Sequence, residues 1–369
     1  MKRCSHQSGA SIGVIERYRE FLPVTELTPV ISLSEGSTPL IFSRRLSEIV
    51  GRGATVFLKH EGLNPTGSFK DRGMTVAVSK AVESGARLLI CASTGNTSAS
   101  AAAYAARAGI QCAVLLPSGR ISMGKLAQAF VYGAVVIALD GNFDRCLNVV
   151  RELSTEPGIA VVNSINPDRL EGQKTAAFEI IDALGDAPDL HLLPVGNAGN
   201  TTAYWRGYVE HHRLKRATKL PRIFGFEAAG AAPIYYDRVI ENPETAASAI
   251  RIGNPASWKL ATAAFRASGG SIGIITDEEI FHAQHWLASN EGLFVEPASA
   301  ISIAALLKSK AGVDLSASLL PDVPENAVIV CTLTGHGLKD TNAVLNDRVK
   351  PVSAPADKSA ILSILEKFK

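Results

Sequence analysis

A series of short, continuous apolar runs separated by helix-like segments constrains this fold more than anything else in the sequence. The runs are 87–92 (RLLICA), 112–117 (CAVLLP), 134–139 (AVVIAL), 159–162 (IAVV), 190–195 (LHLLPV), 222–226 (RIFGF) and 327–333 (AVIVCTL). None alternates apolar with polar residues, which predicts strands buried on both faces, as in parallel sheets. Between them, Met74, Ala77, Val78 and Ala81 recur at i, i+3, i+4 and i+7, with Gly85 placed to end the helix. The segment 97–107 (TSASAAAYAAR), followed by Gly109, is small on most faces and suits close packing against a sheet. This β–α–β–α order predicts an α/β architecture.

At 369 residues, against about 150 per domain, the chain has room for two domains. Hydrophobic residues make up 46% and charged residues 20%, which supports a large core and excludes global disorder. Lys and Arg number 37 against 35 Asp and Glu, a net charge of +2, so the charge balance gives no reason to expect nucleic acid or a membrane surface as partner. The cysteines at 4, 91, 112, 146 and 331 form no CxxC, so neither a disulfide framework nor a zinc site is expected. Cys91, Cys112 and Cys331 lie in apolar runs and read as small buried hydrophobes, which suits a reducing, cytoplasmic setting. Residues 1–10 lack the apolar stretch of a signal peptide, and no run of about 18 apolar residues is present to span a membrane. His211 and His212 are adjacent, and His282 and His285 lie in a polar segment, so no metal site is expected. The stretch 316–326 reads as a surface loop, and the tail beyond Lys350 as a loop ending in a short amphipathic helix.

Polar clusters fall where such sheets place their loops. The segment 59–74 (KHEGLNPTGSFKDRGM) contains the turn signal Asn64-Pro65-Thr66-Gly67. Ser68 then stands where a helix N-cap belongs, with Asp71 as an acidic capping-box analogue, which puts Lys70 in a first helical turn. A helix N-terminus is already positive, so this placement lowers the amine's proton affinity, as an imine-forming lysine requires. Read alone, the segment fits an exposed lysine equally well. After the run 87–92 comes 93–98 (STGNTS), a loop where open α/β sheets bind ligands and where helix N–H groups suit an anion; a set of N-caps would look the same. Gly196-Asn197-Ala198-Gly199-Asn200 follows the run 190–195 and precedes a helix expected over 201–211. Its glycines let backbone amides approach a phosphate, although the spacing is neither GxGxxG nor a P-loop. Thr334 ends the run 327–333 beside Gly335, where a hydroxyl could meet a ring nitrogen or simply close a strand. Asn163, Ser164 and Arg169 can donate to an anion, Arg169 as a fork; singly they read as a loop with a surface arginine.

Together these clusters resemble the pyridoxal-phosphate enzymes of fold type II, the tryptophan synthase β superfamily, and within it the threonine synthases. The resemblance runs from about Val14 to Lys350. It rests on EGSTPL at 35–40, LKHEGLNPTGSFKDRGM at 58–74, STGNTSAS at 93–100, VNSINPDRLEGQKT at 162–175 and LTGHGLKD at 333–340. SFKD marks the superfamily; the segment around Asn163 to Thr175 separates the threonine synthases from dehydratases and cysteine synthases. The resemblance implies that Lys70 carries the Schiff base with pyridoxal 5'-phosphate and serves as general acid and base. It implies that Asn96 bonds the cofactor's phenolic oxygen, that Gly196, Asn197, Ala198, Gly199 and Asn200 cradle its phosphate, and that Thr334 faces its ring nitrogen. Ser93, Thr94 and Thr97 match the loop for a substrate carboxylate; Thr97, Asn163, Ser164 and Arg169 match positions near a substrate phosphate. Glu296-Pro297-Ala298-Ser299 also matches the family, without a role that these residues explain by themselves.

The implied reaction converts O-phospho-L-homoserine and water to L-threonine and phosphate. The implied fold has two three-layer α/β domains with the cofactor in the cleft between them. The smaller, mobile domain is expected over 54–163, and the larger over 1–53 and 164–369, carrying the phosphate loop. A homodimer is the family expectation, with no nucleic-acid or membrane partner. The chain resembles the short bacterial form, so no S-adenosylmethionine activation is expected. The rivals are a pyridoxal-phosphate-dependent threonine or serine dehydratase, a cysteate-synthase-like enzyme, and a non-catalytic relative that binds a phosphorylated ligand.

Overall fold

The structure is a computed structural model, and it describes residues 12–118, 123–141, 143–310, 323–343 and 352–366. The chain enters through α1 (Val14–Tyr18), then β1 (Leu40–Ser43), α2 (Arg44–Val50), β2 (Thr55–His60) and α3 (Lys70–Glu83). Next come β3 (Leu88–Ala92), α4 (Asn96–Ala108), β4 (Gln111–Pro117), α5 (Met123–Val131), β5 (Val135–Leu139), α6 (Phe143–Leu153) and β6 (Ile159–Val161). The long α7 (Pro167–Leu184) leads to β7 (Leu190–Pro194), α8 (Gly199–Arg213), β8 (Arg222–Ala228), α9 (Trp258–Ser268) and β9 (Ser271–Ile275). The chain closes with α10 (Asp277–Glu291), α11 (Pro297–Lys310), β10 (Val328–Leu333) and α12 (Lys358–Leu365).

Among the described residues the strands form two sheets, one of six strands in the order β1-β2-β10-β7-β8-β9 and one of four in the order β5-β4-β3-β6. The smaller sheet is parallel throughout, and the larger is parallel except where β1 runs against β2. Each sheet sits in a three-layer sandwich. One face of the larger sheet packs Leu58, Leu192 and Cys331 against α2, α10 and α11. Its other face packs Leu193, Ile223 and Val330 against α7, α8 and α9. In the smaller sheet, Leu89, Cys91 and Val114 face α3, α4 and α5. Ile90, Ala92 and Leu115 face α6 on the opposite side. Successive residues of β3 thus bury on opposite faces, which is why that run reads as continuously apolar.

The sequence reading is corrected in several places. Thr55–His60, expected inside the smaller region 54–163, pairs with β10 as part of the six-stranded sheet. The strand over 135–139 is not buried on both faces: Val135 is 61% and Ile137 is 40% exposed, because β5 is an edge strand. The capping box of Ser68 and Asp71 does not form. Phe69, not Ser68, precedes the first helical residue, and it supplies no side-chain cap. Asp71 instead accepts from Thr66 N (2.7 Å) and Thr66 Oγ1 (2.6 Å), and across to α4 from Ser100 Oγ (2.6 Å). Part of the loop expected at 316–326, residues 1–10 and Cys4 lie outside the described residues. Among the described residues no helix is long and apolar enough to cross a membrane.

Candidate active site

The loops that leave the C-terminal ends of β2, β3, β7 and β10 carry the polar clusters singled out in the sequence. That is the edge of an open α/β sheet where backbone N–H groups and helix N-termini collect. The loop before α3 is stitched to the end of β10. Phe69 N donates to Thr334 O (3.0 Å) and His336 N to Gly67 O (2.9 Å), with Gly67 at φ +85° so the chain can turn. Lys70 opens α3, half-buried, with its Nζ 4.2 Å from the Phe69 ring centroid. Burial and then the Arg169 guanidinium pull its pKa down to about 7, with Glu296 opposing them. Its free-amine form is therefore well populated at neutral pH.

Arg169 lies in the first turn of α7, where Asn166 caps the helix by accepting from Asp168 N (2.9 Å) and Pro167 opens it. Its side chain is fully buried, and Nη1 donates to Val162 O (3.1 Å). Nε and Nη2 have no hydrogen-bond partner among the described residues. Burial lowers its pKa to about 10, which leaves it cationic at neutral pH. A buried guanidinium with two unanswered donors costs free energy unless an anion meets it. The pairing of Arg169 with Lys70 rests on helix packing. Gly73 and Gly172, three residues beyond each, face one another across α3 and α7. A Cβ on Gly73 would come 2.6 Å from Arg169 O, and one on Gly172 would overlap Arg72 O.

The loop between β3 and α4 presents Ser93 and Thr94 half-buried and Asn96 and Thr97 buried, as the helix begins at Asn96. Asn163 is brought beside this loop, but its amide is engaged at both ends. Its Oδ1 accepts from Ala92 N (3.0 Å) and its Nδ2 donates to Ala92 O (2.9 Å). Asn163 therefore holds the loop in place. Ser164 is half-buried between Asn163 and Asn166.

At the end of β7, Gly196 runs so close to Ile250 that a Cβ would lie 3.1 Å from Ile250 Cα. Ala198 takes the left-handed conformation at φ +61° and turns the chain into α8, which starts at Gly199. Asn197 is held from outside by Ala256 N (3.4 Å on Oδ1) and Ser257 N (3.1 Å on O). In the first turn of α8, Asn200 Nδ2 and Thr201 Oγ1 are buried without a hydrogen-bond partner among the described residues. Unpaired donors at a helix N-terminus, beside a glycine that keeps the approach open, are what a phosphate ester needs. Thr334 lies buried at the end of β10, its Oγ1 2.9 Å from Ser299 Oγ. A hydroxyl is neutral, so Thr334 adds no formal charge to the site.

The site also holds residues the sequence reading left without a role. Glu296, immediately before α11, is buried, and its carboxylate accepts from Asn96 Nδ2. Burial raises its pKa, against the hydrogen bond from Asn96 and the charges of Lys339 and Lys70. Lys339 donates to Thr66 O (2.9 Å) and to Gln128 Oε1 on α5, so it ties the β10 loop to a helix of the four-stranded unit. Behind Lys70 lies a buried ionic network. Arg72 Nε and Nη2 meet Glu61 at 2.6 and 2.8 Å; Arg72 Nη1 and Nη2 meet Glu179 at 2.8 and 2.6 Å, and Lys59 Nζ meets Glu179 at 2.7 Å. No local pattern flags these partners, because they come from β2 and the turn after it, α3 and α7, the last more than 100 residues on.

The sequence matches the family described as "Pyridoxal-phosphate dependent enzyme" over residues 31–335. It is 54% identical over 342 residues to the threonine synthase of Synechocystis sp., covering 93% of this chain and 87% of that protein. It is 55% identical over 356 residues to the threonine synthase of Mycobacterium tuberculosis, covering 96% of each. In three dimensions it is similar to the crystal structure of a cysteine synthase from Entamoeba histolytica, with a TM-score of 0.71, 18% identity and 96% coverage of both chains. At that identity the structural likeness speaks for the fold alone.

Proposed function

The chain belongs to the pyridoxal-phosphate-dependent enzymes, in the threonine synthase family, and from that membership we propose how its residues divide the work. It is a pyridoxal-phosphate-dependent lyase of threonine biosynthesis, and its substrate is O-phospho-L-homoserine, taken with water to L-threonine and phosphate. The observation that carries this reading is Arg169: a buried guanidinium with two donors free, beside Lys70, makes an anion site separate from the one at the start of α8. A substrate with its own phosphate needs such a second site; a dehydratase acting on free threonine or serine does not.

The residues present fit the cofactor. Lys70 would hold its aldehyde carbon through the amine, Asn200 and Thr201 with the amides of 196–200 would take its phosphate, and Thr334 would meet its ring nitrogen. Asn96 would donate to its phenolic oxygen. Bound there, pyridoxal phosphate supplies an electron sink for negative charge that develops on the substrate carbons. The protein's own part is proton transfer, positioning and exclusion of water. Lys70, with a proton affinity matched to neutral pH, can take a proton from one substrate carbon and return it to another. Ser93, Thr94 and Thr97, at the N-terminus of α4, suit the substrate carboxylate, and Asn163 keeps that loop in register. Arg169 grips the leaving phosphate as a fork and stabilises its charge as it departs, with Ser164 alongside. The neutral hydroxyl of Thr334 leaves the ring a weaker sink than a carboxylate partner would, which restrains side reactions. The four-stranded unit closes over the substrate, with Lys339 and Gln128 among the groups that meet. The working form is a homodimer in the cytoplasm.

The test is to incubate the protein loaded with pyridoxal phosphate with O-phospho-L-homoserine and identify the products by mass spectrometry. Threonine and phosphate in equal amounts are expected. 2-Oxobutyrate with phosphate would instead make it an elimination enzyme. Lys70→Ala is expected to abolish both turnover and the visible absorbance of bound cofactor, and normal turnover in that variant would remove Lys70 from the chemistry.

A further inference from the structure

Glu296 occupies a position that nothing in the mechanism above uses. It lies 200 residues from Asn96 in sequence, yet both its carboxylate oxygens sit 3.0 Å from Asn96 Nδ2. These are the carboxylate's hydrogen bonds among the described residues. The carboxylate is laid against Gly335, where any Cβ would overlap it, so residue 335 must be glycine for Glu296 to reach. The backbone around it is pinned: Glu296 N donates to Gly335 O (3.0 Å), and Gly335 N to Ser299 Oγ (2.7 Å). Ser299 is also the neighbour of the Thr334 hydroxyl at 2.9 Å. Thus one short stretch at the start of α11 touches both Asn96 and Thr334.

The chemistry of the pair has a direction. A carboxylate only accepts, whereas an asparagine amide has an accepting end and a donating end. Beside a buried carboxylate, the amide can present only its NH₂ end. One N–H is then held by Glu296, and the other is left for a second acceptor. With an uncharged or donating neighbour the amide could turn over and offer its oxygen, which would repel an anionic oxygen on a ligand. We infer that Glu296 is a positioning residue that fixes the amide of Asn96 with a free N–H toward the phenolic oxygen of the cofactor, a role that rests on the placement of Asn96 proposed above. The assignment also accounts for a buried carboxylate near Lys70 that makes no ion pair among the described residues: its function requires an acceptor, and its charge is answered by the amide and by the Lys339 and Lys70 fields.

The test compares the full-length protein's affinity for pyridoxal phosphate with its affinity for 3-deoxypyridoxal 5'-phosphate, which lacks the phenolic oxygen, by equilibrium dialysis. Wild type is expected to favour the natural cofactor about tenfold, the size of one hydrogen bond to a charged acceptor. Asn96→Ala is expected to erase that preference, Glu296→Ala to cut it to about threefold or less because the amide is free to turn, and the double variant to lose nothing beyond Asn96→Ala. A merely structural role would weaken both ligands equally and keep the ratio, so a tenfold preference retained in Glu296→Ala overturns the inference. Should Glu296→Ala fail to fold, Glu296→Gln serves. Its amide can accept or donate and no longer dictates the orientation of Asn96, so the preference is expected to fall to about threefold. A full tenfold preference there overturns the inference as well. Equal binding of both ligands by wild type would overturn it while leaving the cofactor assignment standing. Binding of neither would remove the cofactor reading itself.

Discussion

At the scale of single residues, Arg169 shows a trade between stability and function. Two of its donors are buried and unanswered, so in the absence of an anion it weakens the fold. Arg169→Met, apolar and of similar length, is expected to raise the melting temperature of the ligand-free protein, by about 1–4 kcal/mol of stability. The same variant is expected to raise KM for the phosphorylated substrate by about tenfold or more. Calorimetry and steady-state kinetics on the same preparations check both, and a fall in melting temperature would mean that the guanidinium is answered in the free protein. The neighbouring amine supplies a pH signature. Lys70 has its proton affinity lowered by burial and by Arg169 to a pKa of about 7. In the proposed role, uptake of cofactor by Lys70 needs the neutral amine, so its rate should climb through about pH 7 and level off above it. In Arg169→Met the second cause is gone, and the midpoint of that climb should move to higher pH.

At the scale of elements, the site depends on how closely α3 and α7 cross. The two helices meet at Gly73 and Gly172, and that contact sets Lys70 and Arg169 side by side. α7 meets α8 in the same way, since a Cβ on Gly207 would come 2.8 Å from the Ala177 side chain. Gly172→Ala must push α7 away from the Arg72 carbonyl. It is expected to cost about 1–3 kcal/mol, as overpacking does, and to raise KM for the phosphorylated substrate more than it changes cofactor affinity. Thermal unfolding and kinetics measure the two effects, and an unchanged KM would separate the crossing from the site. The helix and strand positions themselves were legible from apolar runs and from the small-residue stretch at 97–107, because those signals are local. The exposure of β5 was not, because whether a strand sits at an edge depends on which strands pair beside it. Nor was the true partner of Asp71, whose carboxylate turned to Thr66 and Ser100 rather than to its own helix end.

At the scale of the whole molecule, the network of Glu61, Arg72, Glu179 and Lys59 joins β2, α3 and α7 behind the site. Burial pushes the two carboxyls up, but Arg72 more than reverses this and holds both below the usual range. Groups whose folded pKa is depressed contribute stability that is complete above their unfolded value, about 4.3, and is lost as pH falls through the folded value. Acid unfolding should therefore set in below about pH 4.3. Arg72→Met leaves the carboxylates buried without their main partner and is expected to cost about 3–5 kcal/mol at pH 7. Part of that loss should be regained as pH falls toward 5, a range over which wild type stays level. Chemical denaturation of both proteins across this pH range tests the reversal, and parallel curves would show that the network is not what sets acid stability.

The sequence by itself determined the order of strands and helices, the parallel architecture and the places where polar loops leave the strands, since periodicity, turn chemistry and capping act over a few residues. It also singled out Lys70, the 196–200 loop and Thr334 as candidates, each from a local signal at the end of a strand or the start of a helix. Only the tertiary structure decided which polar groups answer one another. Asn163 closes on the backbone of Ala92, 71 residues away; Glu296 meets Asn96 from 200 residues away; and Arg169 is buried with two donors free. These outcomes depend on helix crossings and on the approach of two separately wound sheets, and no stretch of sequence holds both partners.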